Sequence, residues 1–212
     1  LPASFDVYLE TSMSSQTRQK LRRFLRKVEG DPSYRISFAT HETIARDMDI
    51  LFKFWRAKWA PYKGKDRAEK IIVSTRDMLM DCFRDGTLEV PVLWYEDRPL
   101  GALANIIDKS KGVVLFYITG RDETWTTPSP GLVLHGFCIR RAIEMGFHEY
   151  DFLRGNEPYK YMFGPWERPI SCTQFRARSG ENLNGRLHPF SIRFVYEQAL
   201  KFYKAGEKAK SE

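Results

Sequence analysis

The amino-acid sequence predicts an α/β (α+β) domain, with a mixed, mostly antiparallel sheet and helices on both of its faces. Three strand-like runs in the middle of the chain are separated by short, turn-rich segments, which is typical of an antiparallel meander. An apolar helix and a further strand follow, and they form a βαβ unit with the last strand of the meander. Because the two strands of such a unit are parallel, the sheet is mixed.

Before the meander, apolar residues recur at helical spacing in three segments, and one run alternates as a strand does. The predicted elements are a helix over 14–29, a strand over 34–39, and helices over 42–59 and 67–84. Gly30 and Pro32 end the first helix, and the run 61–65, with Pro61 and Gly64, separates the last two.

From residue 88 onward, strands outnumber helices. The predicted elements are strands over 88–95, 100–107 and 113–119, a helix over 130–145, strands over 148–153 and 173–178, and a helix over 190–205. The loop 120–129 is long for a strand-to-helix connection, and long loops in compact domains are often functional.

Composition and length are those of one folded domain over residues 1–212. Apolar residues make up 42% of the chain, which is enough for a real core and excludes global disorder. No apolar run nears the about 18 residues of a membrane span and nothing resembles a signal peptide, so we expect a cytoplasmic protein. The chain begins with Leu1 rather than Met, which leaves open that it is the C-terminal part of a longer protein.

The cysteines and histidines indicate neither disulfides nor a metal. Cys82, Cys138 and Cys172 are widely spaced in apolar surroundings, as buried reduced thiols are. His135 and Cys138 lie one helical turn apart, but no second ligand pair accompanies them. We therefore predict no bound metal.

A ligand site is expected beyond the carboxyl ends of the parallel strands, where open α/β sheets bind their ligands. Ser129 is suited to cap the helix that begins there, Pro130 fits its first position, and Gly131 leaves the backbone bare. Such a helix start offers free N–H groups and a positive dipole end to an anion. An ordinary capped helix without a ligand is the alternative.

Two charged residues near the last parallel strand are candidates for chemistry. Asp151 lies between aromatic residues, where burial would favour a proton-accepting role, although a structural Asp with a neighbouring partner is the alternative. Lys160 follows the turn at Arg154 and Gly155, from which its ammonium could stabilise an oxyanion or hold a phosphate. The alternative is a solvated surface Lys.

The first predicted helix carries a strongly basic segment, residues 18–27, and the chain has a net charge of +7. This charge favours an anionic ligand, whether a nucleotide cofactor, a lipid headgroup or, least favoured of the three, a nucleic acid such as tRNA. A charge run on a helix is also commonly just a solvated face.

Four motifs in the second half of the chain carry a resemblance to a known family. They are Ser129-Pro130-Gly131-Leu132, Tyr150-Asp151-Phe152-Leu153-Arg154-Gly155, Tyr159-Lys160 and Phe163-Gly164. With the basic helix, they resemble the CelD-like (cellulose-biosynthesis) branch of the GNAT acetyltransferases and, more distantly, the Fem-type aminoacyltransferases. The resemblance spans residues 14–180 and is most specific in its C-terminal block.

The resemblance implies the GNAT fold, in which a central pair of parallel strands splays apart to admit the pantetheine arm of acetyl-CoA. The strand backbone would bind the pantetheine, and the following helix start would receive the pyrophosphate. The implied cofactor-binding residues are Phe116, Tyr117, Ile118, Ser129, Gly131, Leu132 and Arg154. The family's pyrophosphate loop usually carries two small residues, whereas the segment 125–132 has a single glycine, Gly131.

The resemblance also implies an N-acyltransferase, acetyl-CoA-dependent in its simplest form, acting on an amine of a small molecule or an envelope sugar precursor. Asp151 would accept or relay the amine proton, and Lys160 or Tyr159 would steady the oxyanion or the leaving group. Two alternatives remain open: a Fem-type transferase that takes an aminoacyl group from a charged tRNA, and a non-catalytic basic binding module.

Overall fold

The computed structural model describes residues 1–171 and 189–204, which fall into two compact units, Leu1–Trp166 and Glu167–Glu212. The first unit holds every strand of the described residues. In the second unit, a helix, α7, runs over Pro189–Lys204 and confirms the predicted terminal helix. The strand predicted over 173–178 lies outside the described residues. Among the helices of the described residues, none is long and apolar enough to cross a lipid bilayer.

The elements of the first unit follow the predicted order closely. The helices are α1 (Phe5–Ser12), α2 (Ser15–Gly30), α3 (Ile44–Lys63), α4 (Lys65–Arg84), α5 (Pro130–Glu144) and α6 (Pro158–Tyr161). The strands are β1 (Tyr34–Phe38), β2 (Leu88–Glu89), β3 (Pro91–Tyr95), β4 (Arg98–Asp108), β5 (Val113–Arg121) and β6 (Glu149–Asp151). Helix α1 was not predicted, because a segment of eight residues is too short to establish a helical period.

Two boundaries differ from the prediction for identifiable reasons. Helix α3 continues through Pro61, since proline removes one helical hydrogen bond but keeps a helical φ. The helix ends instead at Gly64, whose φ of 81° is left-handed and which donates its N–H to the carbonyl of Ala60. The strand predicted over 148–153 is shorter, because Leu153 takes a φ of 54° and turns the chain out of the sheet.

The sheet is mixed, as predicted. Its strand order is β1-β3-β4-β5-β6, with β2 paired to β4, and all neighbours are antiparallel except β5 and β6. Helices α1, α2 and α5 share one apolar cluster with one face of the sheet, and α3 and α4 share a second cluster with the other. Helices therefore cover both faces.

Strands β5 and β6 run together only briefly. Their parallel pairing ends at Leu115 and Asp151, whereas β5 continues to Arg121. A β-bulge lies at the same level: Asn105 of β4 pairs with Phe116 and Ala104 with Ile118, so Tyr117 is an extra residue. Bulges bend a strand and are common beside active sites. The bulge and the end of pairing together produce the predicted splayed pair.

Helix α3 approaches β5 very closely at Gly120. A Cβ atom at this position would lie 2.9 Å from the backbone nitrogen of Trp55 and closer still to the carbonyl oxygen of Leu51. Only glycine permits this contact. The contact fixes α3 beside the parted end of β5.

Candidate active site

A cleft of about 600 Å³ lies where β5 and β6 part. Helix α3 forms one wall, and β5, the start of α5 and the segment after β6 form the other. The residues that line the cleft include Trp55, Lys58, Trp59 and Lys63 from α3; Phe116, Tyr117, Ile118 and Arg121 from β5; Ser129, Gly131, Leu132 and His135 from the start of α5 and its cap; and Phe152, Leu153, Arg154, Glu157, Tyr159, Lys160 and Phe163 from the segment after β6. The fold thus brings together every site residue named from the sequence except Asp151.

Asp151 is the last residue of β6, and it is not among the residues that line the cleft. Its Oδ1 accepts a hydrogen bond of 2.6 Å from the backbone N–H of Leu153. That bond closes a tight turn around Phe152 and supports the left-handed conformation of Leu153. In this arrangement the carboxylate shapes the end of the strand.

The Lys160 side chain is buried, with 5% of its surface exposed, rather than solvated. Its Nζ donates hydrogen bonds to the carbonyl oxygens of Arg154 at 3.1 Å and Gly155 at 3.4 Å. Glu157 Oε2 lies 2.9 Å from the same nitrogen and forms an ion pair without good hydrogen-bond geometry. The ammonium therefore pins the turn after β6 and adds a positive charge to the cleft.

The start of α5 has features of an anion site. Ser129 holds the N-cap position, but its side chain makes no capping hydrogen bond, so the predicted cap is wrong. The first helical bond comes from Val133 N–H to the Ser129 carbonyl at 3.1 Å, which leaves Gly131 and Leu132 N–H at the positive end of the helix. The Arg121 guanidinium stands beside Gly131, 3.6 Å from where a Cβ would lie.

The charges that line the cleft are predominantly positive. The described lining residues include five cations and a single carboxylate; they are Lys58, Lys63, Arg121, Arg154 and Lys160, with Glu157. Arg121 also pairs with Glu123 at 2.8 Å, and Lys58 lies 3.3 Å from the same carboxylate. The site is therefore suited to an anionic ligand.

The basic helix α2 does not contribute to the cleft lining. Arg22 pairs with Asp6 at 2.9 Å, and Arg18 donates to the carbonyl of Leu9 at 3.4 Å, so α1 uses part of the basic face. The other cations of α2 face solvent.

The described residues include no group of three or more metal-ligating side chains.

Sequence comparison agrees with the fold. The family described as acetyltransferase (GNAT) domain matches residues 15–161, which is more than half of the chain. The protein belongs to the GNAT acetyltransferase family. It is therefore an acyltransferase, and the mixed sheet with a splayed parallel pair is a GNAT fold. No curated protein sequence matches the chain.

Solved structures with a similar chain course include two that are described as an acetyltransferase or a possible acetyltransferase. An aminoglycoside acetyltransferase, meta-AAC0020, from an uncultured soil metagenomic sample has a TM-score of 0.49 and 14% identity, over 68% of this chain and 97% of that chain. A possible acetyltransferase from Clostridium difficile 630 has a TM-score of 0.47 and 11% identity, over 68% and 97%. Family membership rests on the sequence match, since these similarities are low.

The GNAT domain contains site residues that sequence reasoning missed. One is His135, which the sequence offered only as half of a metal-ligand pair with Cys138. Its Nδ1 lies 3.1 Å from the Tyr150 hydroxyl, and burial lowers its pKa to about 3. The α3 wall was also missed, because nothing in its sequence indicates that Trp55 and Trp59 would face a strand end.

Tyr159 of the GNAT domain is a partly buried phenol in the cleft. Its ring packs 5.9 Å from the ring of His135. Burial, with a smaller effect of Glu157, raises the pKa of the Tyr159 hydroxyl. The phenol therefore stays protonated at neutral pH and can serve as a proton donor in the cleft.

Proposed function

We propose that this GNAT domain transfers an acetyl group from acetyl-CoA to a primary amine of a small molecule. The observation that carries the proposal is the cleft itself, which opens where β5 loses its partner strand and which is lined by cations. An extended, amide-bearing chain fits beside an unpaired strand, and its phosphates fit a cationic helix start.

The donor would lie along the parted end of β5. Backbone groups of Phe116, Tyr117 and Ile118 on the side of the missing strand would pair with the amides of pantetheine. The pyrophosphate would lie at the N–H groups of Gly131 and Leu132, with the Arg121 guanidinium beside them. Arg154 supplies a further positive charge at the mouth.

In the reaction, the amine nitrogen bonds to the acyl carbon, the carbon–sulfur bond breaks, and CoA leaves as a thiolate. Tyr159 gives its proton to that thiolate and regains one from solvent, which receives the proton that the amine loses. Holding both substrates together supplies much of the acceleration. Lys160 holds the turn after β6 and places positive charge near the developing oxyanion, and Asp151 holds the strand end.

The α3 wall suggests the chemistry of the acceptor. Lys58 and Lys63 lie 5.6 and 5.2 Å from the Trp59 ring, so an aromatic face is flanked by two positive charges. A sugar ring packs well on an indole, and a phosphate or carboxylate would pair with the lysines. An amino sugar phosphate or sugar nucleotide meets both requirements, whereas a polycationic amine would be repelled.

Several finer assignments rest on the resemblance described above. We place the chain in the CelD-like branch, and we assign it to polysaccharide biosynthesis in the cytoplasm. A single acyltransferase domain over residues 1–212 stays a prediction. The tRNA-dependent alternative receives no support from the site, because the basic helix lies apart from the cleft lining.

The direct test is calorimetric titration of the full chain with acetyl-CoA. We expect binding by the wild type and about 10- to 100-fold weaker binding by Arg121→Ala, since a charge-assisted contact to phosphate is worth about 1.5 to 3 kcal/mol. Lys109→Ala, which removes an exposed cation from the turn between β4 and β5, is the matched control and should bind normally. No binding by the wild type at millimolar acetyl-CoA would overturn the donor assignment.

A further inference from the structure

His135 occupies the point at which the sheet opens. Its ring lies 4.5 Å from the ring of Phe116 and 5.4 Å from that of Phe152, measured between centroids. These two phenylalanines directly follow the last parallel pair of β5 and β6, formed by Leu115 and Asp151. The imidazole is 1% exposed, and it lines the cleft. It is thus a buried polar group at the point where the two strands part.

The contacts of the Tyr150 hydroxyl favour one tautomer of the ring. The hydroxyl has one proton, and Asn105 Oδ1, 3.4 Å away, can only accept it. With the proton directed there, the hydroxyl accepts from His135 Nδ1 at 3.1 Å, and Nδ1 carries the ring proton. Nε2 is left with a bare lone pair. Among residues 1–171 and 189–204, no side chain or backbone group is hydrogen-bonded to Nε2.

An acceptor lone pair in this position is expected to be satisfied by a ligand. A polar atom at a cleft wall is usually hydrogen-bonded once the cleft is filled and water is excluded, because an unpaired atom there would be unfavourable. Of the rings packed around the imidazole, those of Phe116, Phe152 and Phe163 carry no donor, and the Tyr159 hydroxyl makes no hydrogen bond to Nε2. A donor can come from a molecule that enters the cleft.

We propose that His135 Nε2 accepts a hydrogen bond from an amide N–H of the pantetheine arm, near its thiol end. The inference rests on the proposed function and adds a side-chain contact to the donor site. His135 lies on the α5 side of the sheet, the same side as the helix start assigned to the pyrophosphate. An arm that runs inward from Gly131 and Leu132 along β5 therefore brings its thiol end to the level of Phe116 and His135.

The same geometry argues against a proton-transfer role for this histidine. The ring is surrounded by aromatic side chains and lies near the Lys160 ammonium, and both factors lower its pKa, to about 3. His135 therefore stays neutral at any working pH, and its Nε2 remains an acceptor. It is a binding residue that sets how deep the thioester lies.

Nitrogen-15 NMR of the imidazole in the full chain tests the proposal. In the free protein, we expect a protonated Nδ1 and a bare Nε2 that do not titrate between pH 5 and 8. CoA should shift the Nε2 resonance, whereas adenosine 3′,5′-bisphosphate, which lacks the pantetheine arm, should leave it in place. A bare Nδ1 in the free protein, or equal shifts with both probes, would overturn the proposal.

Calorimetry with variants provides the second measurement. His135→Leu should bind CoA roughly tenfold more weakly, as expected for one lost hydrogen bond to a buried group, and should bind adenosine 3′,5′-bisphosphate as the wild type does. Tyr150→Phe removes the partner that fixes the tautomer and should weaken CoA binding in the same direction. The exposed His148→Leu is the matched control.

The outcomes separate this inference from the donor assignment. Wild-type binding of CoA with an unmoved Nε2 resonance and unchanged affinity in His135→Leu would overturn the role of His135 and leave the proposed function intact. Failure of the wild type to bind CoA would overturn both. If His135→Leu does not fold, the NMR titration of the wild type still decides the question.

Discussion

The two walls of the cleft are built differently. The wall formed by β5, α5 and the segment after β6 has buried, hydrogen-bonded side chains in it: Lys160 bonds to backbone carbonyls, and His135 bonds to Tyr150 behind the wall. The α3 wall presents Lys58, Trp59 and Lys63, which remain partly or fully exposed. The β5 and α5 wall is therefore preorganised for a ligand of fixed shape. The α3 wall can accommodate ligands of different shapes, as expected if it receives the proposed acceptor.

The largest effect should come from the buried wall. Tyr159→Phe removes the proposed proton donor while keeping the ring packed against His135. We expect the acetyl-transfer rate to fall at least about 100-fold with little change in CoA affinity, because general acid catalysis contributes about 10²- to 10⁴-fold. Steady-state kinetics with a panel of amines measures this. A loss confined to KM would show that Tyr159 only binds, and Tyr62→Phe on the exposed end of α3 is the matched control.

The contact that joins the two walls can be broken at Gly120. In Gly120→Ala the new methyl group collides with the α3 backbone at Leu51 and Trp55, which cannot move aside as a flexible side chain could. We expect a loss of about 2 to 3 kcal/mol in the free energy of unfolding, measured with urea, together with weaker activity. Gly30→Ala, where the added atom meets nothing within 4 Å, is the control. Equal stability of both variants would show that α3 is not fixed to β5 in this way.

A smaller effect is the pH dependence of stability that buried His135 gives to its wall of the cleft. The unfolded chain protonates His135 near its ordinary value of 6.5, whereas the folded chain does so only near 3. Between these values the unfolded state binds more protons, so stability falls as the pH falls through this window. Between a pH well above 6.5 and pH 5, the burial of neutral His135 should lower the free energy of unfolding by about 2 kcal/mol.

Urea unfolding of the wild type and His135→Leu at pH 8 and pH 5 measures this contribution. The variant should lose less stability than the wild type on acidification, because the carboxylates are common to both proteins. The same change at the exposed His148 should leave the slope unaltered. Identical slopes for all three proteins would contradict the burial of a neutral His135.

Sequence reasoning identified most of the buried wall and little of the α3 wall, for physical reasons. A proline and glycine at a helix start and a strand followed by Arg154 and Gly155 are local signals, so they could be read from the chain. The α3 wall depends on the packing of a distant helix on Gly120, which no local pattern encodes. The roles expected for Ser129 and Asp151 depended on side-chain direction, which backbone patterns do not determine.

Strand β5 illustrates the same limit. Phe116 and Ile118 are two residues apart, so a regular strand would place them on the same face. Instead, Phe116 packs in the cluster of α5 and Ile118 against that of α3, because Tyr117 is an extra residue between them. The alternation of apolar residues predicted a strand correctly and could not show that the strand changes faces inside the site.

The bulge at Tyr117 has a consequence for how this cleft could be lost. Because Tyr117 lacks a partner on β4, its removal would leave Phe116 opposite Asn105 and Ile118 opposite Ala104, with every side chain on its present face. Only the bend would disappear. The turn at Leu153 would then be the only feature that still parts β5 from β6. One deleted codon would therefore narrow the cleft while leaving both apolar clusters assembled.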